Sequence, residues 1–442
     1  MPNLRDRLRR IQSINREGTP KPEPVKTPAG SVPRPQQRQL RDDGWEEAGY
    51  QTLKKVFILA QHIPIPPVFP AALPIVIPDT INRSLGESAP AMPAPTAEDL
   101  LFFDLETTGL SGGAGTVAFL AAFGRLIPCP ENKKGRQQLK HELQISQYLL
   151  LDYPGESDFL DAVLKEFSCN QGCRRAAPLV VSYNGKAFDS QILKTRCLMN
   201  AIHAPQYLHA DLLHPARRLW KRLLENCSQA TIEGQVLDID RTGDVSGALA
   251  PEIWFDFLRT GKTSALMDIC EHNRRDIRGL ASIFALMACV AEDPINMQKK
   301  YAYDVESLAL RWHDCLRYGT INGEEFPPGE SRCSLLKTGQ LLLNCAAEKG
   351  GGRAALVLAL QLLRTGSPEK GRHILSALVS RAYPVSIQVS ALRYLAIDSE
   401  RYCRDYASAL KHVNAALDLD LTESQRNDFE HRKNRLLEKL KL

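Results

Sequence analysis

Three short stretches hold acidic residues where their chemistry, rather than their solubility, would explain them. In FDLETTGLSGGAGTVAF, residues 103–119, Asp104 and Glu106 stand two apart. Side chains two apart on a strand share a face, so this pair would project together from a strand end. Carboxylates about 4 Å apart repel by roughly 4 kcal/mol at an effective dielectric near 20. A dication between them removes that cost, and hard oxygen donors suit Mg²⁺ or Mn²⁺. An Asp-x-Glu pair standing alone is more simply read as two solvated carboxylates.

The second stretch is VVSYNGKAFDSQIL, residues 180–193, which places Asp189 just after a buried run and near the start of a helix. Asn184-Gly185 supplies a turn through which the backbone or the Asn184 amide can approach a ligand. An Asp at a helix start also serves simply as a cap. The third is ICEHNRRDIRGLASIF, residues 269–284, in which Ile269, Ile277, Leu280 and Phe284 form a helical stripe. His272 and Asp276, four apart, lie one turn apart on one face. They make either a surface contact or an active pair, the Asp binding metal and the His helping to deprotonate an attacking water.

Taken in order, these motifs resemble the DEDD exonuclease superfamily. DLETTGLSGGAGTVAFL, HADLLHPARRLWKRLLENCS, TIEGQVLDIDRTGDVSGALAPEIW and HNRRDI are similar to the YprB-type ribonuclease H-like proteins of bacteria, over roughly residues 40–290. The resemblance implies a 3′–5′ exonuclease acting on DNA or RNA with two ions of Mg²⁺ or Mn²⁺, held by Asp104, Glu106, Asp189 and Asp276. On that mechanism Thr107, Thr108 and Gly109 offer backbone N–H groups to the terminal nucleotide, and Leu110 is either a wedge against a base or a loop residue packed on the core. In that superfamily a Tyr stands four residues before the last Asp, or a His five before it. Here His272 stands at four and Glu271 at five, which matches neither subtype and leaves His272 as the residue to test as general base. Glu233, Arg241 and Asp244 fall in the similar stretch and are expected to position the site or the substrate.

The elements that must position these residues follow from hydrophobic spacing. Buried or alternating runs predict strands over 100–104, 116–126, 142–151, 178–184 and 207–212, with helices over 156–168, 186–198 and 214–224. Strands paired by hairpins and then alternating with helices indicate an α/β fold: a ribonuclease H-like mixed five-stranded sheet flanked by helices. The expected domains are a basic, Pro-rich disordered segment over 1–40, with a short helix over 4–16, then a Pro-rich extended lead-in over 41–98, with a small helix over 45–57. A nuclease domain follows over 99–295. An all-α C-terminal domain over 300–442 comprises helices near 303–316, 332–348, 353–364, 369–381, 386–398, 402–417 and 422–441. One helix pair, 391–417, is tetratricopeptide-like.

Composition bounds the rest. The chain has 442 residues, 43% hydrophobic and 24% charged, with a formal net charge of +5. That is permissive of nucleic acid without requiring it. Eleven cysteines without a repeating spacing read as reduced thiols of a cytoplasmic protein. Cys169 and Cys173, with His209 and His214 downstream, have a possible zinc spacing. Proline interrupts the longest apolar run, over 63–78, so no membrane span is expected. The 111–115 glycine-rich turn lacks the Lys-Ser/Thr ending of a nucleotide-triphosphate loop. Arg217, Arg218, Lys221 and Arg222 form either a phosphate-contacting or a solvated face. Two other readings stand beside the exonuclease. One is a nucleic-acid-binding scaffold with weak or no catalysis and a helical protein-interaction tail; the other is a structure-specific endonuclease.

Overall fold

A computed structural model of the chain describes residues 35–66, 69–80, 95–109, 115–128, 141–168, 177–321, 324–325, 330–380 and 382–441. The expected helix over 4–16, most of the linker, Leu110, the turn over 111–114 and the Cys169/Cys173 spacing lie outside the described residues. The chain divides into two units, Met1–Trp45 and Glu46–Leu442. In the first, helix α1 (Pro35–Asp42) is closed by a bond from Trp45 N to Leu40 O of 3.0 Å.

The second unit is built on β1 (Glu46–Gly49), β2 (Thr52–Ile63), β3 (Leu100–Thr107), β4 (Ala118–Pro128), β5 (His141–Leu150), β6 (Leu179–Ser182) and β7 (Leu208–Asp211). They form one sheet of order β1-β2-β5-β4-β3-β6-β7. The β3-β4-β5 meander is antiparallel, and β6 and β7 join it in parallel. The sheet therefore has seven strands, not five, and the helix expected over 45–57 is a pair of strands. The reason is tertiary: β2 pairs antiparallel with β5 from Thr52↔Leu150 to Ile63↔His141. Val56, Phe57 and Ile58 suit a pleated surface better than a short helix.

Helices of this region are α2 (Leu73–Val76), α3 (Glu156–Leu164), α4 (Asp189–Met199), α5 (Leu213–Trp220), α6 (Gln229–Gln235), α7 (Ala250–Thr260) and the 29-residue α8 (Ser264–Glu292). α8 lies across the sheet. A Cβ at Gly124 of β4 would stand 2.6 Å from Ile277 Cγ2 on α8, so the contact is backbone-close. One buried cluster includes Phe102, Ala122, Ile145, Ile277, Leu280 and Phe284 and continues into Trp312, Leu343 and Ala354 of the helical region. Each fully buried side chain of this size contributes about 1.5–3 kcal/mol.

The helical region comprises α9 (Pro294–Lys300), α10 (Val305–Tyr318), α11 (Glu330–Glu348), α12 (Gly352–Arg364), α13 (Pro368–Leu378), α14 (Val385–Arg401), α15 (Tyr406–Leu417) and α16 (Glu423–Leu440). A two-stranded ladder, Thr320–Ile321 with Glu324–Glu325, interrupts them. Ala396, Ala409 and Ala416 are fully buried where α14 and α15 pack together. No described helix is long and apolar enough to cross a membrane.

Candidate active site

Strand parity decides which side chains meet. Phe102, Asp104 and Glu106 share one face of β3, and Phe102 packs edge-on against Phe284 of α8 with ring centroids 6.0 Å apart. The two carboxylates consequently face the same helix. Phe103, on the opposite face, stacks on Phe123 at 5.1 Å and meets Phe167 at 5.4 Å, which anchors the strand from behind. β3 runs parallel to β6, with Phe102 opposite Val181. The carboxyl ends of both strands open at one rim, where open α/β sheets place ligands.

The turn after β6 brings in Asp189. Asn184 adopts φ +65°, a left-handed conformation that Asn tolerates better than most residues. Asp211, at the end of β7, accepts from Asn184 N at 2.8 Å, Lys186 N at 3.0 Å and Leu213 N at 3.0 Å. A Cβ at Gly185 would stand 2.5 Å from Ser182 Oγ and 2.8 Å from Asp189 Oδ2, so glycine is what lets the turn close. His209 sits behind it, 2.7 Å from Ser182 Oγ and 3.1 Å from Ser190 Oγ. Burial, helped by Lys186, pushes the His209 pKa down to about 4. The imidazole bonds at both nitrogens, which ties it into the turn.

Helix α8 supplies the third edge. His272 Nε2 lies 3.3 Å from Asp276 Oδ2 and 4.0 Å from Glu106 Oε1, and its Nδ1 lies 3.0 Å from Asp244 Oδ1. Fully buried Asn273 donates from Nδ2 to Asp104 Oδ2 at 2.7 Å. Its own oxygen accepts from Gln147 Nε2 at 3.0 Å, and the same amide reaches Cys270 O at 2.7 Å. Neither Asn273 nor Gln147 was singled out in the sequence; a polar residue facing a sheet across a helix stripe was the one signal available.

Arg241 ties this edge to the loop after α6. Its Nη2 pairs with Asp276 Oδ1, and its Nε lies 3.2 Å from both Glu233 Oε2 and Asp244 Oδ2. Burial works against the Arg241 charge, but Asp276, Glu233 and Asp244 together raise its pKa. Glu233, 1% exposed, occupies the notch left by Gly279, where a Cβ would stand 1.7 Å from Glu233 Oε1. Burial lifts its carboxyl to about 7, against the pull of Arg241 and Gln229.

These groups surround a cleft of about 330 Å³ lined by Asp104, Glu106, Asp189, His272 and Asp276, with Thr107, Gly109 and Asn184 on its wall. Phe188, Ile192, Gly247 and Pro251 also line it; Phe188 stands in the second motif and Gly247 and Pro251 in the 231–254 stretch, though the sequence assigns none of them a role. Thr108 does not open onto it as expected: its N–H donates to Val117 O at 2.9 Å and its hydroxyl accepts from Val117 N at 3.0 Å. Thr108 instead closes the β3–β4 connection.

Burial pushes the carboxyls of Asp104 and Glu106 well above the usual range, and the neighbouring Asp276 and Asp189 charges push them further. Burial, then Asp211, raises Asp189 to about 7. Such a set is held apart from its own charge unless a cation enters. The donors fit one: oxygens of Glu106 and Asp276 and a nitrogen of His272 all lie within 4.8 Å of one another. The carboxylate oxygens of this set suit a hard divalent cation.

Residues 101–288 match the family model described as the RNase_H superfamily. The uncharacterized protein YprB of Bacillus subtilis (strain 168) is 34% identical over 193 residues, which are 43% of this chain and 42% of that protein. The match thus spans less than half the length of that curated relative.

Proposed function

We propose, from the match of residues 101–288 to the RNase_H superfamily model, that the chain is a metal-dependent 3′–5′ exonuclease of the DEDD type acting on DNA or RNA. The observation that carries this reading is the convergence of Asp104, Glu106, Asp189 and Asp276, from three separate elements, on one cleft. Asp104, Glu106, Asp189 and Asp276 would hold two divalent cations, which when bound supply Lewis-acid polarisation of the phosphate and a water of lowered pKa.

The chain's own groups do the remainder. His272 Nε2 faces the cleft and takes the proton of the attacking water, while the Asp244 carboxylate stands 3.0 Å from Nδ1 on the far side of the ring without an aligned hydrogen bond to it. Water oxygen joins phosphorus, the bond from phosphorus to the 3′ oxygen breaks, and that oxygen takes a proton from solvent and leaves as the new 3′ hydroxyl. A mononucleotide with a 5′ phosphate is released. Phe188, 45% exposed, stands on the wall where a terminal base would stack. Thr107 and Gly109 line the rim against the terminal sugar.

The test uses 5′-labelled single strands of DNA and of RNA with Mg²⁺ or Mn²⁺. Ladders shortening from the 3′ end are expected, lost on chelation and in Asp104→Ala and Asp276→Ala. The pairing of Arg241 with Asp276 favours one other reading, a nucleic-acid-binding scaffold, because it satisfies that carboxylate without a metal. Equal residual signal in wild type and both variants would give that reading the site.

A further inference from the structure

A second recess, of about 860 Å³, lies between the end of α5, the stretch after α9 and the turn joining α11 to α12. Its floor is fixed. Trp220 Nε1 donates to Ala302 O at 3.0 Å, and Asp304 N donates to Leu219 O at 2.7 Å. Its lining carries Arg222, Lys299, Lys300, Lys349 and Arg353, against the carboxylates of Asp304 and Glu306.

Those two carboxylates are already engaged. Glu306 Oε1 accepts from Arg353 N at 2.9 Å and Ala354 N at 3.2 Å, and Asp304 Oδ1 accepts from Ser307 N at 2.9 Å. Both also pair with Arg222, at 3.0 and 3.2 Å. Lys299 is turned to Asn296 Oδ1 at 3.1 Å. The side chains of Lys300, Lys349 and Arg353 pair with no carboxylate among the described residues, and the last two flank the Gly350–Gly352 turn. Positive charge is therefore left over in a concave site, and Tyr301 adds a half-exposed ring carrying the Lys300 ammonium 5.2 Å from its centroid.

We propose that this recess binds the sugar–phosphate backbone of a single nucleic-acid strand, as an anchor separate from the catalytic cleft. The inference rests on the nucleic-acid reading above. Asp211 joins the start of α5 to the Asn184 turn, and Asn184 lines the cleft, whereas Arg222 lies past the other end of that helix, about 12 Å of axis away. Unpaired cations around an aromatic ring are what a flexible strand uses. An acidic protein segment is the competing occupant. The anchored strand would keep the substrate on the chain between successive cleavages.

The experiment compares the full chain with a Lys300→Ala/Lys349→Ala/Arg353→Ala variant, with folding checked by circular dichroism. Binding of a fluorescent 30-nucleotide single strand is read by anisotropy in EDTA across a salt series. Hydrolysis of thymidine 5′-(p-nitrophenyl phosphate) with Mn²⁺ is read in parallel. Losing three phosphate contacts should lower the slope of log K against log salt by about 2 and weaken binding on the order of tenfold at 0.15 M salt. Hydrolysis of the small substrate should be unchanged. Equal affinity and slope in both proteins would overturn the anchor, as would a wild type that binds no strand. Either result with small-substrate hydrolysis intact leaves the catalytic reading standing. Loss of poly-glutamate binding alone in the variant would give the recess to an acidic protein.

Discussion

His272 Nδ1 lies 3.0 Å from the Asp244 carboxylate, while its Nε2 lies 3.3 Å from Asp276. Nδ1 makes no aligned hydrogen bond, so the Asp244 charge acts on the ring through space, and Nε2 is the nitrogen on the Asp276 side, where His272 lines the cleft. His272→Gln should lower kcat by about 10²–10⁴. Asp244→Asn keeps the shape but removes the carboxylate, and should lower kcat roughly tenfold with KM little changed. Steady-state kinetics with Mn²⁺ decides this, and equal kcat in all three proteins would remove both residues from the reaction.

Arg241 is the counter-charge to Glu233, which is 1% exposed beside Gly279. Arg241→Gln should destabilise the fold by roughly 3–5 kcal/mol, because it strands a buried carboxylate. Adding Glu233→Gln should recover much of that loss, since the two changes share one interaction. Denaturant titration of the single and double variants measures both. A purely additive double variant would show that the pair is not coupled.

The pH dependence of the metal-free protein follows from the cleft. Burial, then Asp211, raises the Asp189 carboxyl to about 7, and Asp104 and Glu106 are raised by burial and then by the Asp276 and Asp189 charges. A raised carboxyl favours the fold fully below its unfolded value near 4 and loses that contribution as pH rises through the folded value. Tm without metal should therefore be lower at pH 8 than at pH 6, and Mn²⁺ should raise it more at pH 8. Asp189→Asn should flatten the decline; an unchanged slope would contradict the coupling.

The helical region carries the opposite sign. Glu400 is 4% exposed and accepts from Arg432 at 2.6 Å, Arg435 at 2.8 Å and Lys439 at 3.0 Å, joining α14 to α16. Burial alone would raise its carboxyl, but the bonds from Arg435 and Lys439 overcome that and hold it down at about 2. Its contribution, on the order of 2–3 kcal/mol, is present above pH 4.5 and is lost as pH falls toward 2. Glu400→Gln should lower Tm at pH 7 and leave it nearly unchanged at pH 2.

Much of this was legible in the chain because period and parity act locally. The strands containing Asp104 and Val181 and the stripe of Ile269, Ile277, Leu280 and Phe284 are written in consecutive residues, and parity put Asp104 and Glu106 on one face. β2 was missed because Val56, Phe57, Ile58 and Leu59 are apolar without clear alternation, and their partner, β5, lies about ninety residues on. Thr108 was misread because its N–H meets Val117, nine residues away, across the β3–β4 turn. Asn273 and Gln147 are ordinary amides until the fold places them 3.0 Å apart above Asp104.

Mn²⁺ binding to the full chain, followed by loss of the free-ion electron paramagnetic resonance signal, tests most directly whether these acidic residues act as one centre. About two ions per chain are expected, with affinity falling at least tenfold in Asp104→Asn and in Asp276→Asn. A wild type that leaves Mn²⁺ free at millimolar concentration, or variants that bind it as wild type does, would contradict a shared cation site.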